Sequence, residues 1–117
     1  MEENKLVLLS KEFSVDLIKL ISMMKENKTS YILTNQLLRS GTSIGANIHE
    51  GNYAASRADF INKFQVALKE CFETEYWLDI FHSSQLIDDD IYNSLIKKCN
   101  TIRILLSKSI NTAKNNE

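Results

Sequence analysis

Histidine and acidic residues are the first groups in this sequence whose spacing could bind a metal. His49-Glu50 begins like the H-E-x-x-H zinc motif, but Tyr53 stands where the second histidine ligand is required. Asp79 and His82 have the acid-x-x-His spacing of di-iron helical bundles. Such sites need two of these motifs and further inward glutamates. We therefore predict no metal site.

Nucleophilic and acid–base catalysis also lack their required partners. Ser40 and Ser43 have no base with an orienting group, and the sequence contains no phosphate-binding loop or dinucleotide fingerprint. Glu75 falls among apolar helical positions, where a carboxyl group could act as a general acid with a raised pKa. No second carboxylate is placed beside it, which favours a structural role in which Glu75 meets Arg39, Asn47 or a serine. The sequence thus predicts a protein that is not an enzyme, with no catalytic residue, cofactor or small-molecule substrate.

Helical periodicity accounts for nearly the whole chain of 117 residues, a length that suits one domain. The sequence has no proline and three glycines, and its apolar residues recur at spacings of three and four. We predict helices over residues 4–26, 31–51, 57–83 and 91–113. Four helices with short connections predict an all-α, antiparallel up-down-up-down bundle.

Polar residues in the connections mark where the helices begin. Thr29 or Ser30 can cap the second helix. Ser56 and Asp59 have the spacing of a capping-box variant ahead of the third helix. Residues 88–90 are three aspartates, which suit the positive end of the fourth helix dipole.

Small and sulfur-containing residues indicate how the helices pack. Gly41 and Gly45 lie four residues apart on or beside the apolar face of the second helix. Each costs roughly 1 kcal/mol relative to alanine, so we expect a neighbouring helix to approach closely there.

Cys71 and Cys99 occupy apolar positions and are predicted to be buried, reduced thiols of a cytoplasmic protein. The sequence contains no run of about 18 apolar residues, so we predict no membrane span. The acidic N-terminus lacks the basic start of a signal peptide.

Charge and apolar residues are unevenly distributed. Residues 56–90 carry three basic and eight acidic groups, whereas residues 91–117 carry five basic and one acidic group. We expect the third and fourth helices to complement each other. Tyr76, Trp77, Ile80 and Phe81 lie off the core stripe of the third helix and predict a second apolar surface. This surface is a candidate for self-association through Trp77 and Phe81.

Two long stretches of the sequence resemble a bacterial family. QLLRSGTSIGANIHEG and DFINKFQVALKECFETEYWL are similar to the small four-helix bundles encoded by open reading frames in intervening sequences of 23S rRNA genes, also called the S23 family. The resemblance implies a left-handed bundle that assembles into a homopentamer. A related branch serves as the accessory protein of diversity-generating retroelements, where a basic pentamer works with reverse transcriptase and RNA.

The resemblance implies two kinds of role for the motif residues. Structural positions, inward or at helix contacts, are Gly41, Ile44, Gly45, Ile48, Phe64, Leu68, Glu75 and Leu78. Polar positions that fix subunit contacts or line a partner surface are Arg39, Ser40, Ser43, Asn47 and Glu50. We favour subunit contacts, because such side chains suit the hydrogen bonds of a polar interface.

Two functions remain open. The first is a non-enzymatic oligomeric adaptor in the cytoplasm that contacts RNA or an RNA-handling protein. Its candidate nucleic-acid contacts are Arg39, Arg57, Lys97, Lys98, Arg103 and Lys108. Since the net charge is −1, these contacts must form a local patch. The alternative is a purely structural or protein-binding module with no role in nucleic-acid or membrane binding.

Overall fold

Four α-helices make up the protein in the computed structural model, which describes residues 2–24 and 31–116. Their bounds are α1 Glu2–Met24, α2 Tyr31–Asn52, α3 Arg57–Ser83 and α4 Asp89–Asn115. The all-α four-helix architecture predicted from apolar spacing is confirmed. The predicted end of the first helix at residues 25–26 and the two candidate caps at residues 29 and 30 lie outside the described residues.

Side-chain caps set the starts of α3 and α4. The backbone N–H of Asp59 donates to Ser56 Oγ at 3.1 Å, as the capping-box spacing predicted. Asp88 caps α4, because its Oδ1 accepts from the backbone N–H of Ile91 at 2.8 Å. This cap places the start of α4 two residues before the predicted position.

The helices enclose one elongated core. Each helix packs against the next in the chain, and α4 returns to α1, within dimensions of 50 × 22 × 20 Å. All four helices contribute large, fully buried apolar side chains, which are Leu6, Phe13, Leu17, Leu37, Ile44, Ile48, Phe64, Leu78, Phe81, Ile102 and Leu106. None of the described helices is both long and apolar enough to cross a membrane.

The glycines of α2 lie where α1 comes close, as the sequence predicted. A Cβ atom on Gly41 would overlap Leu17 Cδ1, and one on Gly45 would lie 3.4 Å from Ser10 Cβ. As the residue number increases along α2, the residue number of its contact on α1 decreases, so these two helices run antiparallel. Gly51, near the end of α2, allows a similar approach by the Phe64 ring.

Both cysteines are free and buried, as predicted. Cys99 Sγ lies 3.6 Å from the backbone oxygen of Cys71, across the contact between α3 and α4. A hydrogen bond with Cys99, together with burial, raises the pKa of the Cys71 thiol far above its ordinary value. This thiol is therefore protonated and a poor nucleophile.

Candidate functional site

The candidate metal ligands do not converge. His49 is exposed on α2, far along the chain from His82 at the end of α3. His82 Nε2 lies 2.7 Å from Asp89 Oδ1, and its ring stacks on Tyr92 at 4.2 Å. The Tyr92 hydroxyl donates to Asp79 at 2.5 Å, and this bond raises the pKa of Tyr92. Among the described residues no three metal-ligating side chains come together. Asp79 and His82 instead connect the end of α3 to the start of α4, through their contacts with Tyr92 and Asp89.

Glu75 makes an ion pair with Arg103, and the predicted partners Arg39, Asn47 or a serine are wrong. Glu75 Oε2 lies 3.0 Å from Arg103 Nε, with both side chains partly buried. Glu75 faces α4, whereas Arg39 contacts the side of α3 that faces α2. The Arg103 guanidinium also lies over the ring of Phe72, 5.6 Å from its centroid. The predicted complementarity between the last two helices is realised in this pair.

Arg39 joins α2 to α3 through two carboxylates. Its Nη1 lies 3.3 Å from Glu70 Oε2, and its Nη2 bonds to Glu73 Oε2. Trp77 Nε1 donates to the same Glu73 oxygen at 3.0 Å. The hydrogen bond with Arg39, followed by that from Trp77, holds the pKa of Glu73 below its ordinary value, and the same contact raises the pKa of Arg39. The charge of Arg39 is thus matched within the chain.

The six candidate nucleic-acid contacts divide into paired and unpaired groups. Lys98 Nζ lies 2.5 Å from Asp16 and 3.1 Å from Glu12 of α1, and these hydrogen bonds raise the pKa of Lys98. Like Arg39 and Arg103, Lys98 therefore already has acidic partners. The other three are exposed and form no ion pair with a described residue, and they are Arg57, Lys97 and Lys108.

Ser40 lies in the core, so its predicted place at a subunit contact is wrong. It is 0% exposed, and its hydroxyl donates to the Leu37 backbone oxygen at 3.3 Å. The Thr74 hydroxyl of α3 lies 3.0 Å from Ser40 Oγ. A serine can be buried here because its own helix and the facing hydroxyl satisfy its hydrogen bonds.

The remaining polar motif residues bond within the chain but stay at the surface. Ser43 Oγ donates to the backbone oxygen of Arg39 at 2.6 Å, and Asn47 Nδ2 donates to that of Ser43 at 2.8 Å. Glu50 Oε1 lies 3.0 Å from Lys63 Nζ of α3. Their role in subunit contacts remains a prediction.

Phe81 is fully buried, so its predicted exposure on a self-association surface is wrong. Because α3 packs against both α2 and α4, its buried face is wider than a single apolar stripe, and Phe81 falls within it. Trp77 is half-buried against Glu73, with its ring edge-on to Tyr76 at 5.1 Å. A contact role for Trp77 remains a prediction.

An aromatic ridge on the outer face of α3 is formed by Phe72 and Tyr76, and Ile104 of α4 is an exposed apolar residue. These side chains are 55%, 56% and 51% exposed. Neither Phe72 nor Ile104 was singled out in the sequence, since apolar residues are frequent in both helices. The available signal was position: Phe72 and Tyr76 are four residues apart, away from the buried positions Cys71, Thr74 and Leu78.

A groove between α1 and α2 lies away from the ridge. It has a volume of about 280 Å³ and a mainly apolar lining. Val7 and Val15 supply apolar walls, while Gly45 and Ala46 leave the α2 side without long side chains. Lys11 and His49 also border the groove. We call this surface the α1–α2 groove.

The charge of the bundle changes sign along its length. The half that contains the connection between α2 and α3 comprises residues 2–13, 42–69 and 103–116. It carries eight basic and five acidic residues, a net of +3. The other described half carries four basic and eight acidic residues, a net of −4. A slightly acidic chain therefore has one basic end.

Comparison with known proteins agrees with the fold and the motif. The family described as 23S rRNA-intervening sequence protein matches residues 2–108. The crystal structure of a protein with unknown function from the S23 ribosomal protein family of Bacteroides thetaiotaomicron VPI-5482 is 41% identical in sequence, with a TM-score of 0.91. The match covers 95% of this chain and 99% of that one. No curated protein matches the sequence. The chain belongs to the 23S rRNA-intervening sequence protein family.

Proposed function

We propose that this chain is a non-enzymatic, self-associating four-helix adaptor that acts in the cytoplasm through protein contacts. The observation that carries the proposal is the number of large apolar side chains left at the surface. In the described part of the chain they are Leu8, Val15, Ile18, Met23, Tyr31, Ile32, Tyr53, Val66, Phe72, Tyr76 and Ile104. Val15 and Ile18 of α1, and Phe72 and Tyr76 of α3, are three and four residues apart and so are neighbours on one helix face. Contiguous exposed apolar residues are typical of surfaces that bind another protein.

The arrangement of the polar residues supports the same proposal. Arg39, Lys98 and Arg103 are held by carboxylates of the same chain, and Ser43 and Asn47 bond to their own helix. These groups already have hydrogen-bond partners in the isolated chain. Burying the exposed apolar side chains removes apolar surface from water, and this is the favourable contribution to association.

Sedimentation velocity of the purified protein tests self-association directly. We expect a species several times heavier than the 13.4 kDa chain. The pentamer implied by the family resemblance would have a mass of about 67 kDa, five times that of the chain. A protein that sediments only as a monomer at high micromolar concentration would overturn the proposal.

RNA association is the second candidate function. The observation that favours it is the basic end of the bundle, where Arg57 and Lys108 are exposed without an acidic partner among the described residues. Lys97 belongs to the acidic half of the bundle but lies on the same side of α4 as Lys108, since eleven residues make close to three helical turns. An RNA backbone could therefore contact both lysines.

Fluorescence anisotropy with a structured RNA at low and near-physiological salt tests this candidate. The double variant Lys97→Ala, Lys108→Ala should bind more weakly, with a slope of log K against log salt that is shallower by about 1 to 2. A control removes Lys19, an exposed lysine outside the basic end. Equal affinity of wild type and both variants, or no binding at low salt, would leave only the protein-binding adaptor.

A further inference from the structure

The outer face of α1 carries a row of apolar side chains that stays exposed in the folded chain. Leu8, Val15 and Ile18 are 68%, 48% and 49% exposed. Together with Lys11 they follow one another at spacings of three, four and three residues, so the four side chains lie on one face of the helix. We call this row the α1 seam. Between Leu8 and Ile18 it is about 15 Å long.

The spacing of the α1 seam is that of a coiled coil. Two helices pack along each other when apolar side chains alternate at steps of three and four residues, which keeps them on the facing sides. Lys11 occupies one of these positions. A single lysine in such a row costs stability but specifies the register of the partner, and its aliphatic stem can still cover apolar surface. The seam therefore suits an α-helix as its partner.

The α1–α2 groove lies beside the seam and leaves room for such a helix. Lys11 and Val15 belong to both surfaces. Gly45 and Ala46 keep the α2 side of the groove free of long side chains. A helix laid along the seam can therefore approach α2 as well as α1. Recognition of an amphipathic helix in a groove commonly uses apolar residues at this spacing as anchors.

Lysines at the seam carry charge that the described chain does not pair. Lys11 and Lys19 are exposed and form no ion pair with a described residue. Two carboxylates of the same helix, Glu12 and Asp16, lie 3.1 and 2.5 Å from Lys98 Nζ of α4 and are held there. Carboxylates on a partner helix would complement the two unpaired lysines, and would orient that helix on the seam.

We propose that the α1 seam binds an acidic amphipathic helix of another protein. The proposal rests on the protein-binding adaptor proposed above and names the chemistry of its partner, which is apolar residues at heptad spacing with carboxylates beside them. The aromatic ridge of this chain does not offer that chemistry, because Glu73 is paired with Arg39 and Glu75 with Arg103. An RNA strand could contact the lysines, but it would leave the apolar side chains of the seam in water.

Two synthetic peptides test the chemistry of the partner. Each has three heptads, about 21 residues, with leucine at the a and d positions. One peptide carries glutamate at the e and g positions and the other carries lysine, so like charges oppose the pairing of either peptide with itself. Fluorescence anisotropy of the labelled peptides, titrated with the protein, measures the affinities. We expect saturable binding of the glutamate peptide, and binding of the lysine peptide that is at least about 30-fold weaker.

A charge reversal tests whether the seam is the binding surface. Lys11→Glu with Lys19→Glu should weaken binding of the glutamate peptide at least about 30-fold and strengthen binding of the lysine peptide. The control Lys69→Glu with Lys108→Glu makes the same change of net charge on α3 and α4, and its affinities should stay within about threefold at physiological salt. All four lysines are exposed, so the fold should persist, and far-ultraviolet circular dichroism verifies this. Equal losses in the two variants would overturn the assigned surface.

An apolar variant separates helix binding from attraction of any anion. Leu8→Ala with Val15→Ala keeps both lysines and should weaken binding of the glutamate peptide at least about tenfold. Unweakened binding would mean that the lysines attract anions alone, as RNA would require, and would overturn the proposal. No saturable binding of the glutamate peptide up to about 1 mM would also overturn it.

Sedimentation velocity of the chain without peptide reports self-association separately. A monomeric chain that binds the glutamate peptide would overturn self-association and support the assigned seam. An assembled chain that does not bind the peptide would overturn the assigned seam alone.

Discussion

Replacing Gly41 by alanine tests how tightly α1 packs against α2. In an unobstructed helix interior this change stabilises by roughly 1 kcal/mol, because alanine has the higher helix propensity. At this position the new Cβ would overlap Leu17 Cδ1, and the buried Leu17 has Phe13 beside it. Overpacking in a core commonly costs about 1–3 kcal/mol. We therefore expect net destabilisation of up to about 2 kcal/mol.

Gly45→Ala is the matched control on the same helix. Its Cβ would lie 3.4 Å from Ser10, close to an ordinary van der Waals distance, so the gain in propensity should dominate and stabilise by about 0.5–1 kcal/mol. Urea unfolding followed by circular dichroism gives both values. Measurement at two protein concentrations separates any contribution from self-association. Equal stability of the two alanine variants would refute the close contact inferred at Gly41.

Three further outcomes follow from individual contacts. Glu75→Gln in the wild-type protein should lower the free energy of unfolding by about 1 kcal/mol. Glu75→Gln added to the Arg103→Gln variant should change that free energy very little, because the ion pair is already absent there. Since Arg39 holds the pKa of Glu73 below its ordinary value, this carboxylate stabilises the fold above the unfolded pKa of about 4.3. That stability is lost as pH falls through the lower folded pKa, so urea unfolding of Glu73→Gln should depend less on acidic pH than wild type. Phe81→Ala should destabilise by about 3–5 kcal/mol in thermal or urea unfolding, and weak destabilisation would contradict its burial.

Apolar periodicity was sufficient to predict the helices but not the exact buried face of α3. The predicted stripe passed from Cys71 to Glu75, whereas burial passes from Cys71 to Thr74 and then through Leu78 to Phe81. Steps of three and four both occur in an α-helix, and polar threonine gave no apolar signal at the buried position. The choice depends on where α2 and α4 lie against α3, which is tertiary information.

The polar contacts were harder to predict than the helices. Ser40 was assigned to a subunit contact because it is a polar position of the motif, whereas its hydroxyl is satisfied in the core by the Leu37 backbone oxygen and the facing Thr74 hydroxyl. Glu75 required a partner by its position alone, but its identity as Arg103 depends on the register between α3 and α4. The tight packing at Gly41 could be predicted, because an interior glycine has a known conformational cost that some packing advantage must offset.

The separation of charge along the bundle has a consequence for any ring whose copies all point the same way. Each described chain would add a net of +3 to one rim and −4 to the other. The two faces of the ring would then carry opposite electrostatic potentials, although the isolated chain has a charge of only −1. Such an assembly would orient itself before contact, presenting its positive rim to a polyanion and its negative rim to a cationic partner. Assembly would thus place the binding of anionic and cationic partners on opposite faces, which the net charge of one copy does not reveal.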